Sequence, residues 1–287
     1  MRGGPNKGAK HSVDAGDCRD QKQRSKLPHD SRAFGTSVMS DGMALVVAPL
    51  AGLLFGSFAS LAGHRLPRGL GVVAGLSRCR RCDATLGVRD LVPLISWALL
   101  GGRCRHCGAA IGARYPVTEA VTALGFALAV LAYGASWPAA TVAALVLGLV
   151  ILTIADLDHQ IIPDAVLIWL LPIGLIHRVL LGAEWTDTAA GLVAAAALGI
   201  ILRRVGSRLA RREALGLGDV KLLAVAGAWL GLAALPGFLI AAGVLGAGFG
   251  MAWRRMRGEA AFPFGPALAA ALFVCVLWAA PWTMVRG

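Results

Sequence analysis

The sequence predicts an all-α polytopic membrane protein with about eight transmembrane helices and a small zinc-ribbon-like insertion after the first span. Three observations support this fold class: an apolar composition, long uncharged blocks, and two closely spaced pairs of cysteines. Apolar residues make up 57% of the 287 residues, charged residues make up 15%, and the mean hydropathy is +0.68. Soluble domains carry about 25% charged residues, so this composition indicates a membrane protein.

The first 42 residues differ from the rest of the chain. They are polar and follow no helical or strand period, which predicts a disordered tail at 1–42. No apolar segment followed by a cleavage site occurs there, so the tail is not a signal peptide. Because Met39 and Met43 stand just before the first apolar block, a start of translation at one of them is an alternative.

Eight apolar segments are predicted to cross the bilayer, since a span needs about 20 apolar residues. The spans lie at 43–63, 165–181, 188–202 and 262–285, and in two double-length blocks at 117–155 and 222–253. Breaks that contain glycine and proline, at 134–138 and 231–237, divide each double-length block into two spans. Residues 117–287 would then form a seven-helix core.

Charge predicts the orientation of these spans. Three arginine-rich connections, at 64–114, 203–212 and 254–257, fall on one side of the membrane if all eight spans alternate. The connection that holds Glu184 and Asp187 has no Lys or Arg and falls on the other side. The positive-inside rule makes the arginine-rich side cytoplasmic. The net charge of +12 is then explained by loops that face anionic membrane lipid, and nucleic acid binding is not expected.

The insertion at 64–116 contains two C-x2-C pairs separated by 21 residues. The four cysteines are Cys79, Cys82, Cys104 and Cys107. Two such pairs can complete a tetrahedral site of four thiolates, which predicts a closed, structural Zn²⁺ site. Gly108 follows the second pair, where the turn needs backbone freedom. Disulfides or unligated thiols are the alternative, although a reducing cytoplasm disfavours disulfides.

Two aspartates lie at span boundaries on the predicted cytoplasmic side. Asp156 ends the third span and Asp219 opens the sixth, directly after Gly216 and Gly218. Charge at membrane depth is costly, and two close carboxylates share one proton. The ionised member can then accept a proton from water while the protonated member hydrogen-bonds a scissile carbonyl. The glycines would let a peptide backbone approach. The alternative is two helix-end charges, with Asp219 as an N-cap.

Several motifs follow one another in a characteristic order between Gly52 and Pro266. They are Gly56–Pro67, the four cysteines, Arg114–Glu119, Asp156–Asp164, Gly216–Lys221 and Pro263–Pro266. In this order they resemble the bacterial prepilin peptidases, a Gly-x-Gly-Asp type family of membrane aspartic proteases. The resemblance implies a multi-pass protein of the bacterial inner membrane whose active site faces the cytoplasm.

The resemblance also implies the reaction. Asp156 and Asp219 would be catalytic, and the substrates would be type IV prepilins or type II secretion pseudopilins, cut after a Gly at the end of a short basic leader. Many members then methylate the new N-terminus with S-adenosylmethionine, and Glu119 would contribute to that site. A helix N-terminal acid favoured by the macrodipole is the alternative for Glu119. Ser60 stands where the family commonly has Asn, which bears on methylation more than on proteolysis.

Further charges surround the aspartates. We expect Asp158 and Asp164, together with Asp156, to attract a basic leader. Lys221 would either tune Asp219 electrostatically or extend to the membrane interface. Two competing functions are a membrane scaffold with inert aspartates and a transporter whose acids carry ions. Substitution of either Asp156 or Asp219 by Asn separates the three functions.

Overall fold

The structure, a computed structural model, describes residues 40–72, 78–79, 81–211, 213, 215–258 and 261–281. Most of the tail predicted at 1–42, with Met39, lies outside these residues. The first helix begins at Asp41, two residues before the predicted first span.

Within the described residues the chain forms nine α-helices, two short 3₁₀ turns and no β-strand. The helices are α1 Asp41–Arg65, α2 Ile95–Leu99, α3 Arg114–Tyr133, α4 Trp137–His159, α5 Asp164–Leu180, α6 Trp185–Ala210, α7 Leu217–Leu230, α8 Leu235–Arg257 and α9 Gly265–Trp278. The 3₁₀ turns are Leu66–Arg68 and Val88–Asp90. All helices except the five-residue α2 coincide with predicted spans.

The membrane fold is confirmed. Five helices, namely α1, α3, α4, α6 and α8, are long and apolar enough to cross a membrane. The other three helices that coincide with predicted spans are shorter, with 17 residues in α5 and 14 each in α7 and α9. The predicted breaks at 134–138 and 231–237 fall between helices.

Two predicted spans differ in length from the helices observed. Helix α6 extends beyond 188–202 at both ends. At its C-terminal end the helix continues past its apolar segment because arginine is a strong helix former. Helix α9 is shorter than 262–285 because prolines limit it at each end. Pro266 occupies its first turn, where proline is tolerated, and the helix ends before Pro281.

Glycines allow the closest helix crossings. Gly52 and Gly56 form a G-x-x-x-G pair on α1, and a Cβ at either position would lie 2.6 Å from a backbone Cα of α3. Gly191 of α6 and Gly227 of α7 oppose each other in the same way. Membrane helices associate through close backbone packing of this kind, since lipid supplies no hydrophobic drive between them.

Helices α4, α7 and α9 form the centre of the bundle. Their largest fully buried side chains are Leu145, Leu152, Leu222, Trp229, Leu268 and Leu272. Trp229 Nε1 donates to the Leu170 carbonyl of α5 at 3.0 Å, which satisfies its one donor. Helices α6 and α8 expose many apolar side chains, as expected of lipid-facing positions in a membrane bundle.

The helices alternate in direction, so their connections gather at two ends. At one end, Arg178 closes α5 and bonds Asp187 at the start of α6 at 2.6 Å. Asp187 also accepts the Leu232 amide of the α7–α8 connection at 3.1 Å. The opposite end holds the arginine-rich connections and both predicted aspartates, and we call it the aspartate end.

Candidate functional site

Asp156 lies in the last turn of α4 and is 5% exposed. Its Oδ2 accepts a hydrogen bond from the Gly265 amide at the start of α9, at 2.8 Å. A Cβ at position 265 would lie 2.7 Å from that oxygen, so only glycine lets the amide come this close. A residue 109 positions away in sequence therefore holds one oxygen of the carboxylate.

Asp219 lies in the first turn of α7. The Gly216 amide donates to its Oδ2 at 3.3 Å, as in a helix N-terminus closed by its own third residue. A Cβ on Gly218 would lie 2.9 Å from Cβ of Ile162, in the connection between α4 and α5. Gly218 therefore allows close packing of Ile162, and the expected approach of a substrate backbone at these glycines stays a prediction.

The structure brings the two aspartates to one place. Helix α9 packs against both α4 and α7, and Ile162 against Gly218 joins the two aspartate-bearing segments. Asp156 and Asp219 are close enough for their charges to interact. Two carboxylates from segments 63 residues apart thus lie close together and form a candidate site.

The other acidic residues nearby have cationic partners. Arg114, at the start of α3, bonds Asp158 Oδ1 at 2.5 Å, and Nδ1 of His64 is 3.7 Å from Asp158 Oδ2. Lys221 Nζ bonds both oxygens of Asp164, at 2.7 and 2.8 Å. Lys221 therefore ties the Asp219 segment to the Asp156 segment. Asp158 and Asp164 therefore offer less unpaired negative charge to a basic leader than the sequence alone suggests.

A second cluster at the aspartate end consists of His64, Asp158 and His159. Their ligating atoms lie within 4.8 Å of one another, close enough to hold a metal ion. The guanidinium of Arg114 already occupies Asp158, and Arg68 bonds the ring of His64. Two neighbouring guanidinium groups disfavour a bound cation, so we assign no metal to this cluster.

Glu119 fastens the insertion to the bundle. It is 7% exposed on the second turn of α3, its Oε2 accepts the Leu94 amide at 2.8 Å, and Ser57 of α1 also hydrogen-bonds it. Leu94 has a φ of +59°, and the Ile95 amide bonds the Pro93 carbonyl across it at 2.6 Å. This is a strained γ-turn, and the bond to Glu119 stabilises it.

Ser60 is the residue at which this chain departs from the family that it resembles. Its Oγ is buried and has no hydrogen-bond partner among the residues that the structure describes. A buried hydroxyl without a partner is unfavourable. A longer side chain such as Asn has greater reach from this position on α1.

The insertion contains two turns of the same design. The Cys79 amide bonds the Ala84 carbonyl at 3.0 Å, and the Cys104 amide bonds the Ala109 carbonyl at 2.8 Å. The residue four positions after each of these cysteines is left-handed: Asp83 with a φ of +54° and Gly108 with +67°. The backbone freedom predicted at Gly108 is therefore used.

The four thiols converge on one point. All four Sγ atoms lie within 4.8 Å of one another, and Sγ of Cys79 is 3.8 Å from Sγ of Cys107. Zn–S bonds of about 2.3 Å in a tetrahedron place sulfurs about 3.8 Å apart. The four cysteines could therefore hold a metal ion, and this donor set suits a closed tetrahedral site.

The four thiols differ in how readily they ionise. Hydrogen bonds from the backbone amides of Arg81 and Cys82 lower the pKa of Cys79 to about 6. The Ala84 amide lowers the pKa of Cys82, but burial and the neighbouring thiols raise it to about 11. Four thiolates repel one another, and a bound cation is what allows all four to ionise.

Comparison with known proteins identifies the family. A model of the bacterial peptidase A24 N-terminal domain matches residues 50–133, and a model of the type IV leader peptidase family matches residues 143–251. A type 4 prepilin-like proteins leader peptide-processing enzyme of Escherichia coli O78:H11 is 34% identical over 78% of this chain and 90% of its own length. The chain belongs to the type IV leader peptidase family.

Other relatives of this family carry a double name. The prepilin leader peptidase/N-methyltransferase of Stutzerimonas stutzeri is 34% identical over 83% of this chain and 92% of its own length. That of Pseudomonas aeruginosa is 34% identical over 80% and 88%. No solved structure matches. As a leader peptidase family member the chain is a peptidase of the membrane, and the matched ranges contain both aspartates, Glu119 and all four cysteines.

Sequence reasoning missed three residues of the site. Gly265 belonged to a recognised motif without an assigned role, yet its amide holds Asp156. Arg114 and His64 each end or begin a span, and both contact Asp158. Their one signal in the sequence is that each lies within a motif of the leader peptidase family at the aspartate end.

Proposed function

We propose that this chain is an aspartic endopeptidase that removes the basic leader from type IV prepilins or type II secretion pseudopilins. The observation that carries the proposal is the meeting of Asp156 and Asp219 at one end of the bundle. The names of the relatives support the substrate class, since they refer to prepilin or prepilin-like leader peptides.

The arrangement suits hydrolysis by a pair of carboxylates that share one proton. Gly265 occupies one oxygen of Asp156 and Gly216 one oxygen of Asp219. Within the described residues the remaining oxygens accept no further hydrogen bond from a side chain, so they are available to water and to the scissile carbonyl. The ionised aspartate accepts a proton as water adds to the carbonyl carbon, and the protonated one hydrogen-bonds the carbonyl oxygen. Transfer of the proton taken from water to the leaving amine then breaks the C–N bond, which releases the leader with a free carboxyl group.

We place this site at the cytoplasmic face of the bacterial inner membrane. The aspartate end carries the arginine-rich connections, which the positive-inside rule assigns to the cytoplasm. The apolar helix that follows the leader in a prepilin would lie in the bilayer, beside lipid-facing helices, so that its cleavage site reaches the membrane boundary.

We propose Zn²⁺ as the ion of the four-cysteine site. Four thiolates leave no open position for water, so the ion is structural and supplies folding free energy to the insertion. It takes no part in hydrolysis, which the aspartates perform on other helices.

We propose N-methylation as a second activity, with S-adenosylmethionine as the methyl donor to the new N-terminal amine. The names of two relatives support it. Glu119 is engaged by Leu94 and Ser57, so its contribution is to hold the insertion against α1 and α3. Glu119→Gln loses the charge-assisted bond to Leu94 and should lower methylation more than leader cleavage.

The test is cleavage of a precursor by membranes that contain the wild type, Asp156→Asn or Asp219→Asn. Each substitution keeps the shape and removes the acid–base group, so we expect a loss of cleavage of about a thousandfold or more. Mass spectrometry reads leader loss and methyl addition in the same sample. Asp83→Asn, in the exposed first cysteine turn, is the matched control and should cleave normally.

Three outcomes discriminate between the functions. A scaffold would continue to support assembly in both Asn variants, and a transporter would never shorten a precursor. Cleavage that survives in either variant, with the protein present at wild-type levels, would contradict the proposed dyad.

A further inference from the structure

A groove of about 460 Å³ lies at the aspartate end, between the second half of α8 and the connection to α9. Its apolar walls include Gly250 and Met251 of α8 and the rings of Phe262 and Phe264 in the connection. The volume is that of an ordinary ligand site. The lining is largely apolar, so the part of an occupant that lies in the groove is apolar.

One end of the groove is cationic. Arg254 and Arg255 both line it and are exposed, and no lining residue is acidic. Neither arginine forms an ion pair with any of the residues that the structure describes. The neighbouring Arg257 instead lies over the Trp253 ring at 4.4 Å. The positive charge of these two arginines suits an anionic group, and it repels a basic peptide.

The position of the groove decides between classes of occupant. Helix α8 is a candidate span, so its last turns lie where a bilayer meets water. The molecules present there with an apolar chain and an anionic head are phospholipids. Basic pockets between helices on the cytoplasmic side bind such head groups.

We infer that this groove binds an anionic glycerophospholipid. Arg254 and Arg255 contact its phosphate, and an acyl chain lies along Met251 and the two phenylalanine rings. These two arginines border a concave apolar surface, which distinguishes a bound lipid from diffuse attraction to the membrane.

Bound lipid should also affect how Asp156 is positioned. This part of the inference rests on the proposed function. Phe264 directly precedes Gly265, whose amide holds Asp156 Oδ2 at 2.8 Å. The Phe264 ring packs over Gly246 and the Phe262 ring over Gly250. A chain seated against these rings restricts the connection and hence the amide. We therefore expect anionic lipid to raise kcat of leader cleavage and to leave KM nearly unchanged.

The experiment uses the purified full-length protein in vesicles of phosphatidylcholine alone or mixed with phosphatidylglycerol. The double variant R254Q/R255Q removes the charge, and Ala247→Trp fills the groove without changing any charge. The matched control is R204Q/R208Q, which removes two arginines from the end of α6 on the same side. Native mass spectrometry measures retained phosphatidylglycerol, and thermal unfolding checks that each variant is folded.

We expect both groove variants to retain about tenfold less phosphatidylglycerol than the wild type, as follows from the attraction of each arginine to anionic lipid and the loss of apolar contact. The control should retain as much as the wild type. The increase in kcat caused by phosphatidylglycerol should disappear in the groove variants alone.

Equal retention of phosphatidylglycerol by wild type and both groove variants would overturn the inference. An unchanged retention with a raised KM for the precursor would also overturn it, and would assign the groove to an acidic part of the precursor. Retention is measured without turnover. A failure of the proposed peptidase activity would therefore appear as absent cleavage in every vesicle, whatever lipid is bound.

Discussion

The four-cysteine insertion and the aspartate site are assembled in different ways. Each cysteine turn is closed within six residues by its own backbone, and the same turn occurs twice. The aspartate site joins α4, α7 and α9 through a single amide and close glycine contacts. A defect in the insertion should therefore stay local, whereas a small displacement among the three helices should reach the reacting groups.

The largest effect that sharpens this comparison is expected at Gly265. In Gly265→Ala the new Cβ would lie 2.7 Å from Asp156 Oδ2, so either the carboxylate or the start of α9 must move. Misplacing a reacting group by about 1 Å costs about a hundredfold in rate. We expect kcat for leader cleavage to fall by about that factor, as measured with a precursor in detergent or vesicles.

Gly237→Ala is the matched control, because nothing lies within 4 Å of a Cβ at that position of α8. It should cleave like the wild type. If Gly265→Ala also cleaves at the wild-type rate, the Gly265 amide does not position Asp156.

The comparison also explains what the sequence could predict. The cysteine spacing is a local pattern, and it led directly to a site whose four sulfurs converge. The eight apolar segments coincide with helices because length and hydropathy are local as well. The ends of α6 and α9 were less predictable, since they depend on where helix propensity continues beyond the apolar run.

The aspartate site was predictable only in part. Physical reasoning left Asp156 and Asp219 open between catalysis and helix-end charge, and the resemblance to a family was needed to pair them. Nothing local indicates that Gly218 packs on Ile162 or that Lys221 bonds Asp164. These contacts depend on how distant segments meet.

Removal of the metal site tests the other half of the comparison. In C79S/C82S two ligands are lost, so we expect bound metal to fall from one equivalent per chain to none and the insertion to become sensitive to protease. Leader cleavage should be largely retained because the aspartates lie on other helices, whereas methylation should fall. Metal analysis, limited proteolysis and the mass-spectrometric assay measure these three quantities.

The control is Cys275→Ser, which changes a half-buried cysteine of α9 outside the cluster and should leave the metal bound. A wild-type protein purified without chelators that contains no metal would refute the metal site. Complete loss of cleavage in folded C79S/C82S would show that the insertion acts on the aspartates.

Two exposed ion pairs, one in the insertion and one at the aspartate end, should differ in their effect on kcat, although the effect is smaller than at Gly265. Arg78–Asp83 in the insertion has exposures of 53% and 78%, and Lys221–Asp164 has 52% and 60%. Pairs this exposed contribute about 0.2–1 kcal/mol to stability, so the two should matter equally little for unfolding. Only Lys221–Asp164 joins the two aspartate-bearing segments. We expect Lys221→Gln and Asp164→Asn to lower kcat about threefold to tenfold with little change in KM.

The charge swap D164K/K221D separates geometry from mere loss of charge. It restores an ion pair across the same gap, so cleavage should recover relative to either single variant. Arg78→Gln is the control and should not change kcat. If the swap is no better than the single variants, the ion pair does not set the spacing of the aspartates.

The smallest effect is expected at Ser60. Here two buried hydroxyl groups on facing helices, those of Ser60 and Thr122, can be compared directly. Thr122 Oγ1 of α3 donates to the Thr118 carbonyl at 2.8 Å, whereas Ser60 Oγ has no partner in the described part of the chain. Leaving a buried hydroxyl unpaired costs about 1–3 kcal/mol. Ser60→Ala should therefore stabilise the protein slightly, or leave it unchanged, in unfolding followed by denaturant, while Thr122→Ala should destabilise it. A clear loss of stability in Ser60→Ala would mean that an ordered water or a bound ligand satisfies the hydroxyl, and this part of α1 would then have to be considered as a binding surface.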